Sequence, residues 1–256
     1  MIELHKLCVG YGQTPVLENL SLEIKKGELT SVIGPNGCGK TTLLKTLLGL
    51  LPPSAGEIII DNRPLSALSR TEIARLAAYL PQGKDTPDMT VSQLVLHGRF
   101  PYLHYPRRYT EKDRAIAQNA MEALGIAHLA NRPLATLSGG MRQTAYLAMA
   151  LTQQTDYIFL DEPTAYLDIS HSLELMQLLK QLTADGKGVV AVLHDLPFAL
   201  RFADRIAVLR DGKSEAFDTP EKLLKNQTLE QVFGVSLQKA PNGVDFYVET
   251  RSISHF

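Results

Sequence analysis

The stretch LTSVIGPNGCGKTTLLKTLLGL, residues 29 to 50, decides the fold of this chain. A short apolar run, LTSVIG, leads into a glycine-rich turn, and the helical pattern KTTLLKTLLGL follows it. Strand, loop and helix in this order form the setting that a phosphate-binding loop requires. The stretch therefore predicts an α/β core with an anion site at the start of a helix.

The turn satisfies the pattern G-x-x-x-x-G-K-S/T through Gly34, Gly39, Lys40 and Thr41. Glycines let backbone N–H groups approach phosphate oxygens closely, and the helix directs its positive dipole end at them. Lys40 would reach the β- and γ-phosphates, and Thr41 would bind Mg²⁺. The alternative is a purely structural turn. We predict an ATP site formed by Gly34, Pro35, Asn36, Gly37, Cys38, Gly39, Lys40, Thr41 and Thr42.

Cys38 lies inside this loop and has two interpretations. The first is a small residue whose side chain faces away from the phosphates. The second is a thiol activated by Lys40 and by the helix N-terminus, which alkylation would modify and ATP would protect.

Composition excludes several classes of protein. The chain has 256 residues, 45% of them hydrophobic, which is enough for one or two domains. The net charge of -1 lacks the basic footprint of a general nucleic-acid binder. Two cysteines cannot form a disulfide framework. No signal peptide or membrane-spanning run is present in the sequence, so we expect a soluble, cytoplasmic chain, and composition leaves docking on a membrane protein open.

Hydrophobic patterns divide the chain into three parts. Alternating apolar residues at 2, 4 and 7, at 20, 22 and 24, and at 58 and 60 predict antiparallel strands near the N-terminus. The region from about 84 to 150 is helical in pattern, with a capping box at Thr90 and Gln93. Asn242-Gly243, within LQKAPNGVDFYVE, is a hairpin signal.

Two apolar runs end in chemically capable residues. YIFLDEP ends in Asp161 and Glu162, and GVVAVLHD ends in His194. Parallel strands present their carboxyl ends at one edge of a sheet, where ligands bind. Asp161 is placed to act near Mg²⁺, and Glu162 is a candidate general base for water attacking the γ-phosphate. Taken singly, two acids after a strand are common and a lone histidine is usually structural, so the phosphate loop carries this interpretation.

A second anion cradle lies in LSGGMRQ, residues 137 to 143. Ser138, Gly139 and Gly140 precede a helical pattern, and unpaired N–H groups at a helix start attract anions. The alternative is an ordinary serine N-cap followed by flexible glycines.

Together these motifs resemble the ATP-binding cassette family, the nucleotide-binding subunits of ABC transporters. They follow one order along nearly the whole chain: VGYG, the phosphate loop, YLPQG, LSGGMRQ, FLDEP, AYLD and LHD. The resemblance implies an α/β fold, a P-loop NTPase (RecA-like) core with an N-terminal antiparallel β subdomain and a helical insert subdomain. We expect the ATPase domain at 1–239, its helical subdomain at about 84–150, and a C-terminal hairpin or tail at 240–256.

The resemblance also implies roles for individual residues. Tyr11 would stack on adenine, Gln82 would contact Mg²⁺ and the attacking water, and His194 would contact the γ-phosphate. The metal ligands would be Thr41, Gln82 and Asp161. Two copies of the chain would pair head-to-tail, so that Ser138, Gly139 and Gly140 cap the γ-phosphate bound by the other copy. The family usually has Gln where Met141 stands and Arg where Thr144 stands.

The segment TVSQLVLHGRFPYL resembles ATPase subunits that serve importers of iron–siderophores, haem and vitamin B12. It implies an ATPase at the cytoplasmic face of the membrane, with an integral permease, a substrate-binding protein and no nucleic acid as partners. The alternatives are an ATPase of a soluble assembly, as in iron–sulfur cluster formation, and a nucleotide-gated scaffold without catalysis. Intact Glu162 and His194 argue against the scaffold, and HGRFPYL argues against the soluble assembly. The cargo leaves no trace in this sequence.

Overall fold

A computed structural model describes residues 1–12, 14–83, 86–165, 167–239 and 246–250. The strands in that part of the chain are β1 (Ile2–Tyr11), β2 (Thr14–Ile24), β3 (Leu29–Ile33), β4 (Ala55–Ile60), β5 (Arg63–Pro64), β6 (Ala77–Leu80), β7 (Tyr157–Asp161), β8 (Gly188–Val192), β9 (Arg205–Arg210), β10 (Lys213–Asp218), β11 (Val235–Lys239) and β12 (Phe246–Thr250). The helices are α1 (Lys40–Leu47), α2 (Arg70–Leu76), α3 (Val91–His97), α4 (Glu111–Ala123), α5 (Gly139–Thr152), α6 (Ile169–Ala184), α7 (Leu196–Phe202), α8 (Pro220–Lys225) and α9 (Thr228–Phe233).

The central sheet has six strands in the order β10-β9-β3-β8-β7-β6. All pairs are parallel except β9 with β10. Every residue of β3, β7 and β8 is buried, which explains their continuous apolar patterns. Val192 pairs with both Val32 and Asp161, so the three carboxyl ends lie level at one edge. The sheet thus brings the phosphate loop beside the two acids.

The N-terminal sheet is antiparallel, in the order β2-β1-β4-β5. Ile2 pairs with Ile24 on one side and with Ile60 on the other, and all three side chains are buried. The alternation in sequence therefore marks one covered face, as predicted.

The helices α3, α4 and α5 form a lobe with its own hydrophobic cluster, which includes Val91, Leu94, Met121, Leu134 and Ala148. Capping boxes start α3 at Thr90 and α4 at Thr110. The third helix of the lobe, α5, ends at Thr152, slightly beyond the expected limit of the helical insert at about residue 150. The predicted α/β core, antiparallel layer and helical insert are confirmed.

At the C-terminus, β11 and β12 pair antiparallel, with Val235 opposite Thr250. The first strand of this hairpin precedes residue 240, and the turn at Asn242-Gly243 lies outside the described residues. Within the described ranges, no helix combines the length and the apolar character needed to cross a bilayer.

Candidate functional site

The phosphate loop connects β3 to α1 and has a backbone that two of its glycines make possible. Gly39 caps α1 with a φ of 101°, a left-handed conformation that L side chains rarely adopt. At Gly34, a Cβ atom would lie 2.1 Å from the carbonyl oxygen of Leu209. The loop is therefore pressed against the neighbouring strand β9, and these positions exclude side chains.

Lys40 is 6% exposed although it carries a charge. Its Nζ atom donates to the carbonyl oxygens of Gly34 (2.8 Å) and Pro35 (3.0 Å). These carbonyl groups compensate for the burial of the Lys40 charge. They also hold the ammonium group beside the N–H groups of the loop.

A cavity of about 520 Å³ opens at this edge of the sheet, a size ordinary for small-molecule sites. Its lining combines residues of the phosphate loop with three polar side chains that are distant in sequence, Gln82, Glu162 and His194. The loop residues are Asn36, Gly37, Gly39, Lys40 and Thr41. Eight of the residues predicted from sequence therefore converge on one space.

Glu162 is the residue on which the polar side chains meet. The Gln82 amide donates to its Oε2 at 2.5 Å, and His194 Nε2 lies 2.5 Å from its Oε1. Its φ of 52° is unusual for a residue other than glycine. Such strain persists where the surroundings determine the conformation, and it commonly accompanies function.

Asp161 is 1% exposed, and burial raises the pKa of its carboxyl. The neighbouring charge of Glu162 raises that pKa further, whereas the hydroxyl groups of Thr41 and Tyr79 oppose the shift. Tyr79 Oη donates to Oδ2 at 3.4 Å, and Oδ1 has no hydrogen-bond partner among the described residues. A buried, unpartnered carboxylate oxygen beside Thr41 is a donor set that suits a hard cation such as Mg²⁺.

Tyr79 is a residue of this site that the motifs in the sequence do not predict. The signal was its place three residues before Gln82, on the strand β6 that runs parallel to β7.

Cys38 does not line the cavity; it is 5% exposed and packs in the hydrophobic core. Burial raises the pKa of its thiol, and the charge of Lys40 only opposes that shift. The structure thus favours the first interpretation, a small residue facing away from the phosphates, over an activated thiol.

Tyr11 and the second anion cradle also lie outside the cavity lining, as do the predicted site residues Gly34, Pro35, Thr42 and Asp161. Tyr11, at the end of β1, is 52% exposed. Ser138 is the N-cap of α5, and its Oγ accepts a hydrogen bond from Met141 N–H at 3.2 Å. Ser138 and Gly139 are exposed, so this helix start is open to solvent and to a second molecule.

Comparison with known proteins agrees with these motifs. The family model described as ABC transporter matches residues 17–165. The petrobactin import ATP-binding protein FpuD of Bacillus anthracis is 44% identical, over 93% of this chain and 88% of that protein. The ferric enterobactin transport ATP-binding protein FepC of Escherichia coli is 43% identical, over 90% of this chain and 86% of that protein.

Among solved structures, a metal-chelate type ABC transporter in an inward-facing conformation superimposes with a TM-score of 0.83 and 27% identity. The match covers 97% of this chain and 95% of that one. Phosphate loop, paired acids, sheet order and relatives all agree. The chain belongs to the ABC transporter family and is one of its ATP-binding, ATP-hydrolysing subunits.

Proposed function

We propose that this chain powers the import of a metal chelate, of the iron–siderophore, haem or cobalamin kind, through a separate membrane permease. The observation that supports ATP hydrolysis is the position of Glu162, which contacts Gln82 and His194 beside the phosphate loop. Relatives named for petrobactin import and ferric enterobactin transport support the choice of cargo class.

In this proposal the loop binds the phosphates of ATP. Backbone N–H groups of residues 36–42 and the Lys40 ammonium face the anion, and Tyr11 stacks on adenine. Thr41, Gln82 and Asp161 hold Mg²⁺, and the unpartnered Asp161 oxygen supports that assignment. A bound Mg²⁺ neutralises charge that develops on the phosphates.

Glu162 then acts as the general base. Its carboxylate accepts a proton from the attacking water, while the Gln82 amide and His194 fix its two oxygens. His194 also contacts the γ-phosphate in this proposal. Because both partners hold the carboxylate at 2.5 Å, little reorientation is needed when the water attacks.

Ser138, Gly139 and Gly140 serve the ATP of a second copy. They lie outside the cavity lined by this chain's phosphate loop, at an exposed helix start. A head-to-tail dimer would place each such helix start against the other copy's γ-phosphate. The two anion cradles of one chain would then belong to two different sites.

Mixing two inactive variants tests this arrangement. We expect Lys40→Ala and Ser138→Arg each to lower ATPase activity by about 10²-fold or more, because the first removes the cation at the phosphates and the second fills the start of α5 with a bulky side chain. In a 1:1 mixture, the mixed dimers hold one intact site, so activity should recover to about a quarter of wild type. Steady-state phosphate release measures it.

The matched control mixes Lys40→Ala with Glu162→Gln. Both of these changes lie on the same side of each site, so every mixed dimer has two damaged sites and stays inactive. Recovery in the control, or none with Ser138→Arg, contradicts binding across two copies.

Met141→Gln, which restores the usual family residue, should change ATP turnover by less than about 100-fold, or 2.7 kcal/mol of barrier. The Met141 N–H reaches Ser138 Oγ whatever the side chain, and Thr144 Oγ1 donates within its own helix to Gly140 O. The hydrogen bond that caps this helix start thus does not use the Met141 side chain. A larger change in kcat means that side chains at these positions bind the nucleotide.

We further propose an ATPase domain at 1–239 and a tail at 240–256.

We also propose that the chain attaches to the cytoplasmic face of the membrane through the permease, with a substrate-binding protein as an indirect partner. The test uses tagged Glu162→Gln protein with Mg-ATP to capture partners from native membranes and cytosol, followed by mass spectrometry. A polytopic permease is the expected partner. A soluble partner alone favours an assembly ATPase and overturns the importer.

A further inference from the structure

Arg99 forms a buried polar cluster at the far end of α5 from Ser138. It follows α3 and is 7% exposed. Its Nε donates to Asp113 Oδ1 at 2.9 Å, and its Nη1 donates to Thr152 O and Gln154 Oε1, both at 3.2 Å. One guanidinium thus joins the ends of three helices, α3, α4 and α5.

The backbone before Arg99 is packed as tightly as its side chain. A Cβ atom on Gly98 would lie 2.2 Å from the carbonyl oxygen of Met149 and 3.0 Å from Thr152 Cβ. Backbone atoms cannot move away as a flexible side chain could. The end of α3 is therefore pressed against the last turn of α5.

The turn Phe100–Tyr102 is fixed by the same cluster. The Arg99 guanidinium carbon lies 4.0 Å from the centre of the Tyr102 ring, a cation–π contact. Tyr102 Oη donates to Gln153 O at 2.9 Å, at the C-cap of α5. Arg75 of α2 donates through Nε to Pro101 O at 3.0 Å. The turn is thus tied to α5 and to the nucleotide-binding core.

Asp113 is matched to Arg99 electrostatically. Burial opposes its ionisation, but hydrogen bonds from Thr110 and from Arg99 outweigh that effect and lower the pKa of the carboxyl. The same carboxylate closes the capping box of α4 through Thr110 N–H at 2.9 Å. A buried ion pair adds little net stability, but it sets the geometry of the groups that it joins.

The outer face of the turn is exposed. Phe100 is 47% exposed and carries Arg107 over its ring at 4.7 Å, and Tyr105 nearby is 98% exposed. A partner that pushed on this surface would push on atoms bonded to the end of α5.

We propose that Arg99 is a positioning residue that fixes the exposed Phe100–Tyr102 turn to the carboxyl end of α5, so that movement imposed on the turn displaces α5, and with it Ser138, as one body. An α-helix of this kind is about 20 Å long, so it transmits a displacement over that distance. The attachment of the turn to α5 is supported by the contacts described above and needs no partner protein. The transmission rests on the proposed permease partnership.

The test removes the ion pair without leaving a buried charge. The variant is Arg99→Met with Asp113→Asn, since removal of one partner alone would destabilise the fold. Its matched control is Arg63→Met with Glu72→Gln, an exposed pair at 3.0 Å that also closes a capping box, at Ser69.

Amide hydrogen exchange on the isolated chain tests the fixing. We expect exchange of residues 100–104 to rise about tenfold or more in the Arg99 variant and to stay unchanged in the control, because exchange follows local opening. Arg99→Lys, which keeps the charge but loses the planar fork, should fall between them. Unchanged exchange at 100–104 overturns the proposal.

ATPase activity tests the transmission. For the isolated chain, the Arg99 variant should stay within about twofold of wild type, because its cluster lies outside the cavity. When the variant takes the place of the wild-type chain in the complex with its membrane partner, ATPase activity should be about tenfold lower than that of the wild-type complex. Equal loss in both samples, or no loss in the complex, overturns transmission. If wild type recovers no membrane partner, the importer fails, and exchange alone decides whether Arg99 positions the turn.

Discussion

Replacing Glu162 with Gln is expected to lower kcat for ATP hydrolysis by about 10²- to 10⁴-fold, the usual contribution of a general base. The amide matches the carboxylate in size and can still accept a hydrogen bond from Gln82, but it cannot take a proton from water. Affinity for ATP should change little, because Lys40 and the loop backbone are untouched. Single-turnover hydrolysis and equilibrium binding of a fluorescent ATP analogue measure the two effects separately.

The matched control is Glu122→Gln on the exposed side of α4, where Gln118 donates to the carboxylate at 2.7 Å and no other described residue does. Its kcat should equal that of wild type. A Glu162→Gln enzyme that kept a tenth or more of its kcat would show that another group takes the proton.

Replacing Asp161 with Asn should abolish Mg²⁺-dependent hydrolysis and yet raise the melting temperature of the nucleotide-free protein. The carboxylate is buried and burial raises its pKa, so keeping it ionised in the folded protein costs free energy that a neutral amide of similar size avoids; the usual cost of an uncompensated buried polar group is about 1–3 kcal/mol. For a chain of this size, each kcal/mol gained in the free energy of unfolding raises the melting temperature by about 2–4 °C. Activity should fall at least about 10²-fold, because the carboxylate proposed to hold Mg²⁺ is lost.

The stability gain should depend on pH. The folded pKa of Asp161 is raised, so the native state loses stability as pH rises through that value. Below the ordinary Asp pKa of about 3.9, both states hold the proton, and the advantage of Asn disappears. Calorimetry from pH 4 to pH 8 measures the trend.

Asp185→Asn, at an exposed helix end, is the control for this series. It should leave both the melting temperature and activity unchanged. An Asp161→Asn protein that melted below wild type at neutral pH would mean that the carboxylate is satisfied in the native state.

Local chemistry made much of the fold predictable. The strand–loop–helix unit at residues 29–50 follows from its glycines and apolar spacing, and the capping box at Thr90 follows from two side chains three residues apart. The end of α5 at Thr152 was harder to predict, because Arg99, which follows α3, donates to the carbonyl oxygen of Thr152 in the last turn. Tertiary contact overrides local signals at such positions.

The sequence by itself determined the glycine-rich loop before α1, the serine N-cap of α5, the acids after β7 and the antiparallel N-terminal layer, because each depends on residues close together in the chain. Only the tertiary structure decided that Gln82 contacts Glu162 across 80 residues, that Tyr79 reaches Asp161 across 82, and that Arg99 reaches Thr152 across 53. The parallel sheet sets the first two pairs by aligning the ends of strands that are distant in sequence, whereas the packing of the end of α3 against the last turn of α5 sets the third. No local pattern encodes either arrangement.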